Sequence, residues 1–413
     1  MMKSRRALPV TTTAVTIVIL LSTILSAASG VDYPNPKNDA NDISFYRPPA
    51  RDRVYPAVPP RVRNVILLIG DGMGLSQVML ARMKAMGAQG KLNMQLLPVH
   101  GLIRTHSADK LVTDSAAAGT ALACGIKTKN GMIGVAPDGT PYYTILEAAQ
   151  AKGMATGLVA TSTISHATPA SFGAHVKSRK MEDTIAEHLI GNRINVLFGG
   201  GRKYFLPQSE SKSGRKDDKD LLAEARDAGY AVIETANQLR WISGPRVLGL
   251  FHLDGMTTFA PEPMLAEMTK KAVSLLDETA ADSRKYGRGF FLMVEGSQID
   301  WACHANDAAN CVRQTLLFDE AVREAVNFAL ADGRTLVVVT ADHETGGLTI
   351  PDGDLDGDNI KVHWSTKGHS AAPVPVFAIG PRSELFGGVY DNTDIPQKIA
   401  QALGIKPFPQ ARQ

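Results

Sequence analysis

The chain has 413 residues, of which 44% are hydrophobic, and its formal net charge is only +3. This hydrophobic content is enough for a large buried core, in one big domain or two ordinary ones. The near balance of charge leaves no basic surface that would argue for nucleic acid as a structural partner.

Residues 1–28 have the pattern of a secretory signal peptide. A basic beginning with Lys3, Arg5 and Arg6 precedes an apolar run over 14–25 and then small residues at 26–30. The apolar run is too short to span a bilayer comfortably, which favours cleavage over an uncleaved membrane anchor. Sec and twin-arginine export both stay open. We therefore expect an exported protein, periplasmic or extracellular, with no stable membrane anchor after cleavage.

Residues 29–61 are rich in Pro, Asp, Asn and Arg and show no apolar periodicity, which predicts an extended N-terminal arm. Such an arm embraces a partner subunit in a homodimer or is a disordered leader, and both alternatives stay open. Residues 62–413 are predicted to form a single domain, with a less regular excursion at about 202–260.

The domain begins with a strand of the kind found inside parallel sheets. Residues 62–69 are a nearly continuous apolar run, followed by Gly70-Asp71-Gly72-Met73-Gly74 and a helical pattern over 75–86. Ligands of open α/β sheets gather at the carboxyl ends of the strands, which makes Asp71 a candidate functional carboxylate. The spacing of a dinucleotide-binding fingerprint is not met.

A serine stands at the start of the next predicted helix. Thr113 and Asp114 precede Ser115, which opens a run of small, helix-forming residues. Unpaired N–H groups at a helix N-terminus attract anions, so they would stabilise both a phosphoryl group and an attacking alkoxide. The alternative is that Ser115 only caps the helix, the commonest role of serine at such a position.

Further αβ units follow. A strand over 155–160 leads into the polar loop 161–169, which contains His166 and Thr168. The region 174–190 is predicted to be mostly helical and carries Arg179. In the less regular region beyond it, a helix is predicted at 221–228 and a short strand at 247–251.

Two buried-type strands in the second half end in acidic and imidazole side chains. The strand 289–294 is followed by Glu295, Asp300 and His304. The i, i+4 spacing puts Asp300 and His304 on one face of a helix, where they share a cation or form a surface hydrogen bond.

The strand 334–340 precedes Asp342 and His343, and His369 precedes the strand 374–379. A parallel sheet brings its strand ends to one edge, so these clusters converge although they are far apart in sequence. The sequence thus predicts an α/β fold, a central mostly parallel sheet with helices on both faces. Mixed carboxylate and imidazole ligands suit zinc and all-oxygen sets suit magnesium, which predicts a multi-metal site for phosphoryl transfer.

There are three cysteines, Cys124, Cys303 and Cys311. The spacing of Cys303 and Cys311 favours a disulfide that braces the segment carrying His304. Three reduced, partly buried thiols are the alternative.

Taken together, the motifs resemble those of the bacterial alkaline phosphatases from Asn64 to about Leu403. The matching stretches are 71–74, 113–117, 167–170 with 178–180, 293–296 with 299–300 and 304–305, 340–347, and 368–370. The resemblance implies an alkaline phosphatase-like three-layer sandwich. It also implies that a small-molecule phosphate monoester is hydrolysed through a phosphoserine intermediate.

The resemblance implies that Ser115 is the nucleophile and that Arg179 clamps the non-bridging phosphate oxygens with its bidentate fork. The implied ligands are Asp300, His304 and His369 for one zinc, Asp71, Asp342 and His343 for a second zinc facing Ser115, and Asp71, Thr168 and Glu295 for magnesium.

The chain departs from the best-known members at His166, where they have Asp, and at Trp301, where they have Lys. An imidazole at the third site would weaken magnesium binding or favour zinc or cobalt. Trp301 removes a cation that would help to hold phosphate, or is a packing residue that shields the site.

Other functions remain to be separated. Related metal-dependent phosphodiesterases and sulfatases share the layout, although Arg179 favours a dianionic monoester and residue 115 is not the Cys that some sulfatases oxidise. A non-catalytic exported phosphate- or metal-binding protein is the alternative from another class.

Overall fold

The computed structural model describes residues 40–49, 61–281 and 288–412, which belong to one compact unit. The predicted signal peptide, 1–28, and most of the predicted arm, 29–61, lie outside the described residues. Within the described ranges, no helix is both long and apolar enough to cross a membrane.

Strands and helices alternate along most of the chain. The strands are β1 (Asn64–Gly70), β2 (Val99–Arg104), β3 (Ala155–Thr163), β4 (Val196–Gly200), β5 (Ala231–Ile233), β6 (Val247–Leu250), β7 (Phe290–Gly296), β8 (Thr335–Ala341), β9 (Glu344–Thr345), β10 (Leu348–Asp352), β11 (Lys361–Trp364), β12 (His369–Ser370), β13 (Val374–Ile379) and β14 (Gly388–Asp391). The helices are α1 (Leu75–Met86), α2 (Ser115–Cys124), α3 (Ile145–Ala151), α4 (Ala167–Gly173), α5 (Glu182–Gly191), α6 (Leu221–Asp227), α7 (Ala236–Trp241), α8 (Leu265–Ala281), α9 (Gln298–His304), α10 (Ala308–Asp332) and α11 (Asp394–Leu403).

Ten of these strands form the central sheet, in the order β14-β2-β13-β8-β1-β7-β3-β4-β6-β5. Every residue of β1, β3, β7 and β8 is buried, because helices such as α3, α8 and α10 pack against the sheet. Strands buried on both faces explain the continuous apolar runs in the sequence. The predicted fold class, a mostly parallel sheet between helical layers, is confirmed.

The strand order decides which loops meet. The four central strands β8, β1, β7 and β3 are parallel, so their carboxyl ends lie side by side at one edge. The neighbouring β13 runs antiparallel to β8, with Phe377 opposite Val339. The beginning of β13, rather than its end, therefore lies at this edge, and His369 precedes that beginning.

The helix predicted over 174–190 is wrong in its first half. Residues 174–181 are not helical, because Val176 pairs with Ile133 and the Arg179 N–H donates to the Gly131 carbonyl at 2.8 Å. Only α5, from Glu182 on, keeps the predicted helix. Tertiary pairing of the backbone overrides the local helical preference, and Arg179 consequently lies on a loop.

The region 202–260 is more ordered than the sequence indicates. It contains α6, α7 and two short strands, and β6 and β5 extend one edge of the central sheet. The helix predicted at 221–228 and the strand predicted at 247–251 correspond to α6 and β6.

The structure has Cys124, Cys303 and Cys311 as buried thiols. The sulfur atoms of Cys303 and Cys311 are 3.6 Å apart, a contact between α9 and α10, whereas a disulfide requires about 2.05 Å. The favoured disulfide is therefore absent from the structure. The structure has three buried thiols, as in the alternative.

Candidate active site

Ser115 is the first residue of α2, and the residue before it caps the helix. The Asp114 carboxylate accepts a hydrogen bond from the Ala117 N–H at 3.0 Å, which makes Asp114 the N-cap. The simple alternative that Ser115 is the N-cap is therefore wrong. The buried Ser115 hydroxyl lies 3.2 Å from Nε2 of His343.

Carboxylates and imidazoles converge around this hydroxyl. In the described part of the chain, three groups have possible ligand atoms within 4.8 Å of one another: Asp300 with His343 and His369, Asp71 with Asp342 and His343, and Asp71 with His166 and Glu295. Shared members join the groups into one cluster at the sheet edge. His304 adjoins it, with its Nε2 3.3 Å from Asp300 Oδ2 and 3.2 Å from His369 Nε2.

Several buried polar atoms of this cluster have no hydrogen-bond partner among the described residues. They are both carboxylate oxygens of Asp71, Asp342 Oδ2, Glu295 Oε1, Thr168 Oγ1 and His166 Nδ1. Burying such atoms unpaired costs free energy, which cations coordinated by them would offset. Oxygen and imidazole donors in this mixture fit divalent metal ions, zinc among them.

Two imidazoles are oriented by backbone carbonyls. His369 Nδ1 donates to the Thr113 carbonyl at 2.8 Å, and His304 Nδ1 donates to the Lys367 carbonyl at 2.5 Å. Because a carbonyl only accepts, each ring carries a proton on Nδ1 and turns its Nε2 toward the cluster.

Without a cation, burial and mutual repulsion raise the pKa of several carboxyl groups of the cluster. Burial raises the pKa of Asp71, and the nearby charges of Asp342, Asp300 and Glu295 raise it further. Burial raises the pKa of Glu295 to about 7. Burial, together with the charge of Asp300, raises the pKa of Asp342 to about 6. Bound cations would remove this repulsion.

Asp300 is the carboxylate that the imidazoles stabilise. Burial alone would raise its pKa, but the hydrogen bond with His304 and the charges of His369 and His304 hold the pKa well below the usual range. Burial lowers the pKa of His304, but the hydrogen bond to Asp300 outweighs it and raises that pKa to about 9. Thr345 adds a further hydrogen bond from its hydroxyl to Asp300.

Arg179 reaches the cluster from its loop and is about a quarter exposed, with 26% of the side-chain surface accessible. Its guanidinium donates to Asp114 Oδ2 at 3.2 Å and contacts Nε2 of His166 at 3.1 Å. Burial and the charge of Arg179 lower the pKa of His166 to about 3, so this imidazole is neutral and accepts the bond. The guanidinium is thus held beside Ser115's helix.

Trp301 packs within the site. Its ring stands edge-on to His166, with ring centroids 6.1 Å apart, and the residue is 8% exposed. A Cβ atom at Gly255 would lie 2.6 Å from the far edge of the indole, so glycine is needed there for the ring to fit. The packing alternative for Trp301 thus has direct geometric support.

Two contributors to the site were missed in the sequence. Asp114 both caps α2 and holds Arg179, and its capping role could have been read from its position just before the helix. Thr345 touches Asp300 across 45 residues of sequence, and no local pattern signals that contact.

The comparisons with known proteins agree on one family. The family model described as Alkaline phosphatase matches residues 62–360 and 357–405. The chain is 40% identical over 319 residues to alkaline phosphatase 4 of Bacillus subtilis, a match that covers 73% of this chain and 64% of that protein. It is 36% identical over 426 residues to alkaline phosphatase 3 of the same organism, covering 83% and 89%.

A solved structure has the same architecture. The alkaline phosphatase from the Antarctic bacterium TAB5 superposes with a TM-score of 0.75 at 39% identity, covering 84% of this chain and 99% of that one. A variant of the TAB5 enzyme with a histidine replaced by glutamate has magnesium bound in its M3 site.

Proposed function

The chain belongs to the alkaline phosphatase family of metal-dependent phosphomonoesterases, and we propose that it hydrolyses small-molecule phosphate monoesters through a phosphoserine intermediate on Ser115. One observation carries the proposal. The Ser115 hydroxyl stands at the start of α2, 3.2 Å from His343, beside buried carboxylates that include oxygens with no hydrogen-bond partner among the described residues.

The residues of the cluster fit three metal ions. One zinc would be held by Asp300, His304 and His369, a second by Asp71, Asp342 and His343, and a magnesium ion by Asp71, Thr168 and Glu295. His166 lies within ligand distance of the third group, where its imidazole shifts the preference toward zinc or cobalt. The magnesium bound in the M3 site of the TAB5 variant supports a metal cofactor in this chain. When bound, such ions stabilise the attacking and leaving oxygens of an in-line displacement.

The chain's own groups position the reactants. The Ser115 oxygen forms a bond to phosphorus as the bond to the alcohol breaks, and water then releases phosphate from the serine. The partial positive charge at the start of α2 and the guanidinium of Arg179 would face the charge on the free oxygens. Asp114 keeps Arg179 directed at that place through their 3.2 Å contact.

Arg179→Ala is expected to lower kcat/KM for 4-nitrophenyl phosphate by about 10²–10³-fold, because charge-assisted bonds to two free oxygens are lost. A diester has one fewer free oxygen, so its slow hydrolysis should fall by a smaller factor. Lys180→Ala, at the next residue, serves as the matched control and should leave both rates near those of the unchanged chain. An equal loss on monoester and diester would contradict the role of Arg179.

A substrate comparison separates the related reaction types. Rates on a nitrophenyl monoester, the bis-nitrophenyl diester and the nitrophenyl sulfate should fall in that order. A faster reaction on the diester or the sulfate would show that the site serves a phosphodiesterase or a sulfatase.

The stabilisation of the fold by bound metal ions is expected to grow from about pH 6 to about pH 8. Burial raises the pKa of Glu295 to about 7 and that of Asp342 to about 6. Protonation of these two carboxyls stabilises the metal-free fold at a pH below their pKa values in the unfolded chain. This contribution is lost as the pH rises through their higher pKa values in the folded protein. A cation must displace these protons, so its apparent affinity falls as the pH drops.

The measurement is the difference in Tm between protein loaded with zinc and magnesium and metal-free protein across this range. A difference that stays constant, or that shrinks toward pH 8, would contradict the assignment of these carboxyls as ligands.

We infer export from the pattern of residues 1–28, and a homodimer stays a proposal. The described part of the arm lies on its own chain, where the Tyr46 hydroxyl donates to Asp319 at 2.7 Å and the Arg47 N–H to Glu320 at 2.8 Å, both on α10. Light scattering of the purified protein measures the number of subunits directly.

A further inference from the structure

Glu344 is a buried carboxylate, 4% exposed, at the edge of the cluster of carboxylates and imidazoles. It is not among the proposed ligands. Its hydrogen-bond donors are Gln77 Nε2 at 2.7 Å, the Leu348 N–H at 3.2 Å, the Gly347 N–H at 3.1 Å and the Ser370 hydroxyl. All four of these donors are neutral. The Glu344 carboxylate therefore forms no ion pair with these donors. Its hydrogen bonds connect separate segments of the chain.

Three parts of the fold meet at Glu344. Gln77 belongs to α1 and also donates to the Thr345 carbonyl at 2.7 Å. Gly347 lies in the turn after β9, and Ser370 lies in β12. The strands β9 and β12 have two residues each and pair antiparallel, with Ser370 opposite Glu344. So short a pair has little stability of its own, which gives the side-chain bond a large share in holding it.

Two proposed zinc ligands depend on the segment that Glu344 holds. His369 is the first residue of β12, and the carbonyl of Lys367 just before it orients the imidazole of His304. A shift of this segment would move His369 and remove the partner of His304 Nδ1. Both changes would move the Nε2 atoms of His304 and His369 away from the Asp300 carboxylate.

The turn after β1 is shaped to admit the same carboxylate. A Cβ atom at Gly74 would lie 2.4 Å from Cγ of Glu344, closer than side-chain atoms approach. Glycine at this position therefore lets the loop that carries Asp71 pass beside Glu344. Gly74 thus has a packing reason beyond the turn itself.

We propose that Glu344 is a positioning residue for zinc, which holds the 367–370 segment so that His304 and His369 face Asp300. The proposal rests on the proposed metal-dependent function. It predicts that loss of Glu344 weakens zinc at the Asp300, His304 and His369 site more than at the site of Asp71, Asp342 and His343.

The experiment compares zinc binding of the unchanged chain with that of Glu344→Ala, Glu344→Gln and Ser370→Ala. Stepwise zinc affinities are measured by competition with a chromophoric chelator, with zinc stoichiometry from elemental analysis. Glu344→Ala should weaken one zinc equivalent by about 10–100-fold, the usual effect of removing a group that orients metal ligands. Ser370→Ala should weaken the same equivalent by less, and saturating zinc should restore kcat in both variants.

Glu147→Gln is the matched control, because Glu147 is also buried and accepts hydrogen bonds from Thr144, His175 and Arg412. Its zinc affinities should equal those of the unchanged chain. If Glu344→Ala fails to fold, Glu344→Gln and Ser370→Ala decide the question.

Unchanged zinc affinity in the folded Glu344 variants would overturn the positioning role, as would an equal loss in Glu147→Gln. Failure of the proposed function gives a different result, since the unchanged chain would then bind no zinc or would need none for activity.

Discussion

Ser115→Ala is expected to lower kcat/KM for a phosphate monoester by about 10³-fold or more while zinc binding is retained. The substitution removes only the hydroxyl group of Ser115, whose oxygen lies 3.2 Å from His343 Nε2 at the start of α2. Residual hydrolysis by direct attack of water would persist, because bound metal ions and Arg179 would still stabilise charge on the phosphoryl group.

The measurement is steady-state kinetics together with zinc content for each variant. Ser171→Ala is the matched control, since Ser171 is a buried serine of α4 whose hydroxyl bonds the Ala167 carbonyl at 2.8 Å. The control should keep nearly full activity. Full activity in Ser115→Ala would place the nucleophile elsewhere, and unchanged phosphate affinity in a chain that never turned over substrate would indicate a binding protein.

Removal of the metal ions is expected to abolish activity, and zinc is expected to restore it. Each 1.36 kcal/mol of lost transition-state stabilisation costs about tenfold in rate, and metal ions contribute several kcal/mol to phosphoryl transfer. In this chain the effect is compounded, because Asp71 and Asp342, once ionised and without a cation, would repel the incoming phosphate.

The test is dialysis against a strong chelator, elemental analysis to show that the metal is gone, and assay before and after each metal is returned. Zinc should be required, and magnesium or cobalt should add to it at the third site. Full activity in protein shown to be free of metal would contradict the mechanism.

The strands were predictable because their signal is local. A strand buried on both faces is apolar throughout, so β1, β7, β8 and β13 appear in the sequence within about two residues of their observed ends. The convergence of Asp71, Glu295 and Asp342 then follows from the geometry of a parallel sheet.

His369 also lies in this cluster, but the sequence did not show why. It lies before its strand, which in an all-parallel sheet would put it at the opposite edge from Asp342. It joins the cluster because β13 is antiparallel to β8. Strand direction depends on the path of the whole chain, which local pattern does not encode.

The remaining differences also arise from contacts between distant residues. Arg179 lies outside a helix because its backbone N–H donates to the Gly131 carbonyl, and Glu344 accepts a hydrogen bond from Ser370, 26 residues away. The thiols of Cys303 and Cys311 meet at a helix junction whose geometry, rather than their spacing, decides whether they bond.

During turnover, the phosphoryl group is expected to form a covalent bond to Ser115. Mixing the zinc-loaded protein with substrate, quenching in acid and mapping peptides by mass spectrometry should find phosphate on Ser115 and none in the Ser115→Ala variant. A turning-over enzyme that carries no phosphate on Ser115, or carries it on another residue, would contradict the account.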